Sequence, residues 1–165
     1  MRKNYRLTFS VLMAAMAALA VVAAAFAAPQ KEAPKVIGSK EESKWTKTTQ
    51  DAANTPENKA ALGKGKPVTV TGEIVDASCY VQLGKRGAAH IDCGRQCIMN
   101  GQPIGIVDAK NVLYIIMAEQ HDPRKQGKVD IKKTFADLLG KQATVHGILN
   151  DNGGVKTIFV QGKVE

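Results

Sequence analysis

Apolar and polar residues alternate along "VTVTGEIVD", which spans residues 68–76. The apolar face of this segment carries Val68, Val70 and Ile74, whereas Thr and Glu side chains lie on the other face. Such alternation is typical of a β-strand with one buried face. Two more apolar runs, 103–108 and 112–118, are separated by the turn-forming sequence "DAKN" and predict a hairpin.

The second half of the domain adds a helix and another hairpin. The segment 130–140, "DIKKTFADLLG", begins at a capping Asp130 and ends at Gly140. Its apolar stripe consists of Ile131, Phe135, Leu138 and Leu139. Strands at 142–149 and 155–161 flank "NDNGG", a strong hairpin signal.

The resulting order, β-β-β-α-β-β, predicts a mainly β fold over residues 67–165. Five strands with a helix between the third and the fourth is the order of a small OB-fold-like barrel. A generic α+β sheet is the alternative, because the hydrophobic pattern does not fix strand pairing. In the barrel, a Cys/His-containing helical insertion follows strand one, in one of the two loops with which OB-folds usually bind ligands.

The N-terminus has the features of a secretory signal peptide over residues 1–27. A basic start, "MRKNYR", precedes a long apolar run that ends at the small-x-small pattern Ala25-Phe26-Ala27. An uncleaved membrane anchor is the alternative, since the run is nearly long enough to span a bilayer. The Ala-rich end favours cleavage. We therefore predict a periplasmic or secreted protein without stable membrane insertion after cleavage.

Residues 28–66 are rich in Lys, Glu, Thr and Pro and poor in large apolar residues. This composition predicts a disordered tether, because little apolar surface is available to offset the loss of chain entropy. Helix signals occur over 56–62, where Thr55 is a plausible cap and Pro56 takes the first position. Trp45 is expected to be exposed.

The charge and aromatic content argue against nucleic-acid binding. Signal-peptide cleavage would remove three of the basic residues and no acid, so the net charge falls from +8 to 8 − 3 = +5. This mild charge does not predict a phosphate-binding surface, and an aromatic content of 5% offers few rings for stacking. We expect a metal ion as partner and an envelope protein as a further candidate.

The candidate chemistry lies in "HIDCGRQCIMNG" and in the cysteine upstream of it. His90, Cys93 and Cys97 fall within eight positions, and Cys79 is the third cysteine of the chain. If this segment is helical, the side chains of His90, Cys93 and Cys97 project within an arc of about 60° on one helix face. Three thiols and one imidazole match a closed tetrahedral metal site, and soft thiolates suit copper(I) as well as zinc.

Two other interpretations remain open. Cys93 and Cys97 at i, i+4 in a helix have Cβ atoms about 5–6 Å apart, whereas a disulfide needs about 3.5–4.5 Å. A bond between Cys79 and either of them is feasible and would leave one free thiol, giving a ligand-binding module with a structural disulfide. In the other interpretation, Cys93 or Cys97 acts as a redox thiol with His90 as base.

The segments "GEIVDASCY", "GKRGAAHIDCGRQC" and "NGQPIG" resemble a group of uncharacterised exported bacterial OB-fold-like proteins. Their shared pattern is Cys-Tyr, then His-x2-Cys-x3-Cys, then Gly-x-Pro-Ile-Gly. The resemblance covers residues 72–105 well and implies the fold, the export and a joint role for Cys79, His90, Cys93 and Cys97. It implies no activity. We therefore expect an exported, non-enzymatic domain that binds one zinc or copper(I) ion.

Overall fold

The computed structural model describes residues 33–119 and 130–161; the predicted signal peptide lies outside them. The strands are β1 (Lys35–Ile37), β2 (Lys66–Asp76), β3 (Ile104–Asp108), β4 (Leu113–Ala118), β5 (Gln142–Asn150) and β6 (Thr157–Val160). The helices are α1 (Lys47–Ala52), α2 (Pro56–Leu62), α3 (Ala77–Leu83), α4 (Ile91–Met99) and α5 (Lys132–Asp137), and a 3₁₀ turn spans Ala88–His90. No helix in the described ranges has the length and apolar character needed to cross a membrane.

Five strands close into a barrel. Antiparallel pairing joins β5 to β2, β2 to β3, and β3 to β4, and β4 then pairs in parallel with β6. Antiparallel pairing of β5 with β6 completes the circle, with Ile148 opposite Phe159. This is a small OB-fold-like barrel of mixed strands, so the predicted fold class is confirmed. The alternative, a generic α+β sheet, is wrong.

The core fills the barrel and extends under α4 and α5. Ile74 of β2, Ile106 of β3 and Phe135 of α5 are fully buried in one apolar cluster. Ile98 is the residue by which α4 joins this cluster. The helix predicted over 130–140 is shorter than expected, since Leu139 leaves α5 and forms an isolated bridge with Ile74.

The disordered tether predicted for 28–66 is wrong over its described part. The compact unit begins at Pro34 rather than at residue 67. Residues 33–65, here called the N-terminal arm, add β1 to the sheet through parallel pairing with β5. The ring of Trp45 packs on Phe159 at 5.4 Å between centroids, so the tryptophan is half-buried rather than exposed.

A buried carboxylate also anchors the arm. Glu119, at the end of β4, accepts hydrogen bonds from the Thr46 backbone (2.7 Å) and hydroxyl (2.9 Å) and from the Thr49 hydroxyl. These bonds order a polar segment without a large apolar face. The helix signals at 56–62 are confirmed, since Thr55 caps α2 by accepting from the Asn58 backbone at 3.2 Å.

Candidate metal centre

Asp76 lies at the junction between the barrel and the Cys/His insertion. It is the last residue of β2 and is fully buried. Its Oδ1 atom accepts hydrogen bonds from the backbone N–H groups of Ser78 (2.9 Å) and Cys79 (3.4 Å), so it caps α3. This cap fixes the first turn of α3 and with it the position of Cys79.

The second oxygen of Asp76 faces His90. His90 ends the 3₁₀ turn, is 5% exposed, and has its Nε2 atom 3.7 Å from Asp76 Oδ2. Neither atom has a hydrogen-bond partner among the described residues. Buried polar atoms without a partner are costly, and in native proteins they call for an explanation such as a water or an ion.

Cys79 completes a group of three donors. One ligand atom each from Asp76, Cys79 and His90 lies within 4.8 Å of the others. A carboxylate oxygen, a thiol sulfur and an imidazole nitrogen are all zinc ligands in proteins. This group could therefore hold a metal ion. Asp76 is not among the ligands predicted from the sequence, and the structure places it in the group itself.

The other two cysteines differ in exposure. Both lie on α4, where Cys97 is half-buried and Cys93 is exposed, and all three cysteines are free thiols. Burial, with a hydrogen bond to Asp76 and the carboxylate charge, raises the pKa of Cys97 to about 11. A hydrogen bond to Asp76 is the main reason that the pKa of Cys79 is also raised. The Asp76 carboxylate therefore disfavours the thiolate form of both cysteines.

A polar clamp fixes the loop that carries His90. Glu73, a buried residue of β2, accepts from the Gly87 backbone at 2.6 Å and pairs with the Arg86 guanidinium at 2.8 Å. Arg86 also lies over the Tyr80 ring, 5.9 Å from its centroid. The sequence did not indicate this pairing, because Glu73 is on the predicted polar face of the strand.

Gly94 allows α4 to approach the cluster. A Cβ atom at this position would lie 2.5 Å from Leu139 Cδ2 and 3.2 Å from His90 Nε2. A methyl group here would therefore require the Leu139 side chain to move and would press on the His90 ring. Arg95, one residue further on, ties α4 to α5 through a 2.7 Å ion pair with Asp137.

No protein-family model, curated protein or solved structure matches the chain. The function must therefore follow from the geometry of the cluster. The predicted ligands Cys79 and His90 lie together beside Asp76. Cys97 and Cys93 are not among these three donors. Burial and the Asp76 carboxylate raise the pKa of Cys97, whereas Cys93 lies at the exposed side of α4.

Proposed function

We propose that this chain is an exported, non-enzymatic domain that binds one metal ion in the insertion between β2 and β3. The ligands are Asp76, Cys79 and His90, and Cys97 completes a tetrahedral set. The proposal rests on the two unpartnered buried atoms, Asp76 Oδ2 and His90 Nε2, which face each other beside a thiol. A cation between these atoms would satisfy both.

The donor set favours zinc over copper(I). Copper(I) selects soft sulfur ligands, whereas zinc accepts carboxylate, imidazole and thiolate together. A site with four protein ligands has no open position, so the ion contributes to structure rather than to catalysis. In this proposal the metal fastens α3 and α4 to the end of β2.

A thiol redox role has less support. Reactive cysteines lie in electropositive surroundings that lower the thiol pKa. Here Asp76 raises the pKa of Cys79, and burial together with the Asp76 carboxylate raises the pKa of Cys97. A bound cation reverses this effect, because it neutralises the carboxylate and favours the thiolate.

Export and family membership are parts of the same proposal. They rest on the signal-peptide pattern of residues 1–27 and on the resemblance of 72–105 to exported OB-fold-like proteins. An envelope location would give the domain a place among exported metal-binding proteins. Detection of the mature chain in a periplasmic or secreted fraction, beginning at residue 28, tests this part.

Titration of the metal-free protein with cobalt(II) tests the ligands. We expect sulfur-to-cobalt charge-transfer bands and intense tetrahedral ligand-field bands that saturate at one ion per chain. Cys97→Ser should weaken the charge-transfer band, and the matched control Cys93→Ser should retain it. Loss of the band in Cys93→Ser alone would make Cys93 the fourth ligand. Absence of any charge-transfer band in the wild type would contradict metal binding by the thiols.

A further inference from the structure

A cavity of about 340 Å³ lies between the N-terminal arm and the barrel. Trp45 and Leu62 of the arm and Phe159 of β6 contribute to its walls. It shares no lining residue with the Asp76, Cys79 and His90 cluster, so it is a separate feature of the molecule. Small-molecule sites in proteins usually measure about 300–1,000 Å³, and this cavity falls at the lower end of that range.

The lining of the cavity is uncharged. It consists of Trp45, Thr49, Ala52, Ala53, Asn58, Ala61, Leu62, Asn150 and Phe159. Three of these residues are alanines. Larger apolar side chains at their positions would fill the cavity, so the alanines leave room beside the rings of Trp45 and Phe159. A charged ligand would lose its hydration here without gaining a counter-charge, so the lining selects against it.

Hydrogen bonds and close contacts hold the aromatic wall in place. Trp45 donates from Nε1 to the Leu62 carbonyl at 2.9 Å, so its polar edge is already satisfied. Its ring lies 5.4 Å from that of Phe159, at an interplanar angle of 59°. A Cβ atom at Gly65 would come within 2.7 Å of the Trp45 ring, so glycine is needed for this approach. The wall is therefore preformed.

We propose that this cavity binds a small uncharged molecule with a flat apolar ring. Tilted aromatic rings offer both a face and an edge to a planar guest. Asn150 is already engaged, since it donates to the Ala61 carbonyl at 3.2 Å and accepts from the Asn152 backbone at 3.1 Å. The exposed amide of Asn58 supplies a hydrogen-bonding group for one polar substituent at the rim.

The only tryptophan of the chain lines the cavity and reports its occupancy directly. The probe is N-phenyl-1-naphthylamine, an uncharged aromatic amine, titrated into the full-length protein. We expect the Trp45 emission to fall and the naphthylamine emission to rise by energy transfer, with saturation at one probe per chain. Absence of saturable energy transfer in the wild-type protein would overturn the proposal.

Two leucine substitutions on α2 locate the probe. Ala61→Leu fills the cavity and should weaken binding by about tenfold, which corresponds to the cost of overpacking a formed site. Ala60→Leu places the same side chain on an exposed neighbour outside the lining and should leave binding unchanged. Equal binding by both variants, with both folded by circular dichroism, would show that the probe binds elsewhere. Cys97→Ser should bind the probe as the wild type does, so this result is independent of the metal site.

Discussion

Asp76 combines two roles in one side chain. One oxygen caps α3, and the other faces His90 without a hydrogen-bond partner. Buried carboxylates are costly unless they are paired, so the free oxygen indicates a site for a positive charge. A protonated His90 would supply such a charge at 3.7 Å, and a metal ion would supply it while also engaging Cys79.

Asp76→Asn separates the two roles. Asparagine caps helices as well as aspartate, so the fold should be retained, whereas the carboxylate ligand is lost. We expect the affinity for zinc to fall by at least about 10- to 100-fold. The loss of a carboxylate that only hydrogen-bonds to a metal ligand already has an effect of this size. Competition with a chromophoric chelator measures it. The control, Asp92→Asn, removes the same charge from an exposed position on α4. Equal affinities of the two variants would contradict a role for Asp76.

The raised thiol pKa values predict a pH dependence in the metal-free protein. A pKa of about 11 for Cys97 means that little thiolate is present at neutral pH. The rate of its alkylation by iodoacetamide should therefore keep rising well above pH 8.5. For an ordinary thiol, whose pKa is about 8.5, the alkylation rate levels off near that pH. Mass spectrometry of the digested protein resolves each cysteine. Asp76→Asn should accelerate the reaction, and a rate for Cys97 that levels off near neutrality would contradict the prediction.

The residues of the site were only partly predictable from the sequence. The close spacing of Cys79, His90, Cys93 and Cys97 indicated a candidate site, because thiols and imidazoles are rare and chemically distinctive. Spacing could not show that Asp76 is fully buried beneath them, since that depends on the end of β2 and on the cap of α3. The exposure of Cys93 depends on how α4 packs on the barrel. No local sequence pattern predicts this packing.

The packing of the helix α4 depends on a close contact at Gly94. Gly94 lets this helix pack against Leu139 and leaves space for the His90 ring. Glycine is a poor helix former, and alanine would favour an isolated helix by about 1 kcal/mol. Its presence in the middle of α4 therefore reflects packing rather than helix propensity.

Gly94→Ala should reduce both stability and metal affinity, although alanine has a higher helix propensity than glycine. We expect a loss of about 1–3 kcal/mol in the free energy of unfolding, from overpacking against Leu139. Zinc affinity should fall as well, because the added methyl group approaches His90 Nε2. Urea denaturation and chelator competition measure the two effects. Gln96→Ala, at an exposed position on the same helix, is the control. A stabilised Gly94→Ala variant with normal zinc binding would contradict this packing.

The elements of the barrel were predictable, whereas in the arm only the helix α2 was. Period-two alternation and hairpin signals indicated β2 to β6 because these strands bury one face in a shared core. The arm is held instead by contacts distant in the sequence, such as Thr46 and Thr49 with Glu119 about 70 residues away. Its strand β1 has three residues, too few for alternation to be recognised.

Deletion of residues 33–65 should destabilise the domain. It removes buried Ile37 and Ala53 and the half-buried Trp45, whose combined burial stabilises by about 2–5 kcal/mol. A lower melting temperature in calorimetry is the expected result. A melting temperature unchanged by the deletion would restore the interpretation of the arm as a tether.

For the molecule as a whole, the proposed metal site and the barrel core are adjacent but distinct. Three of the proposed ligands lie in the insertion and Asp76 lies at the end of β2, whereas the core cluster is built mainly from the strands and α5. Removal of the metal should therefore loosen 77–102 and leave the barrel folded. Hydrogen exchange should accelerate in that segment and stay slow in β4 and β5. Global unfolding without the metal would instead make the ion an obligate part of folding.

X-ray absorption at the zinc edge tests the proposed site most directly, because it counts the ligand types around the ion. For protein loaded with one zinc per chain, we predict two sulfur atoms at about 2.3 Å and two nitrogen or oxygen atoms at about 2.0–2.2 Å. This shell corresponds to Cys79 and Cys97 with His90 and Asp76. Three sulfur atoms and one nitrogen would exclude Asp76 and bring in Cys93, and a shell without sulfur would contradict a metal centre at this cluster.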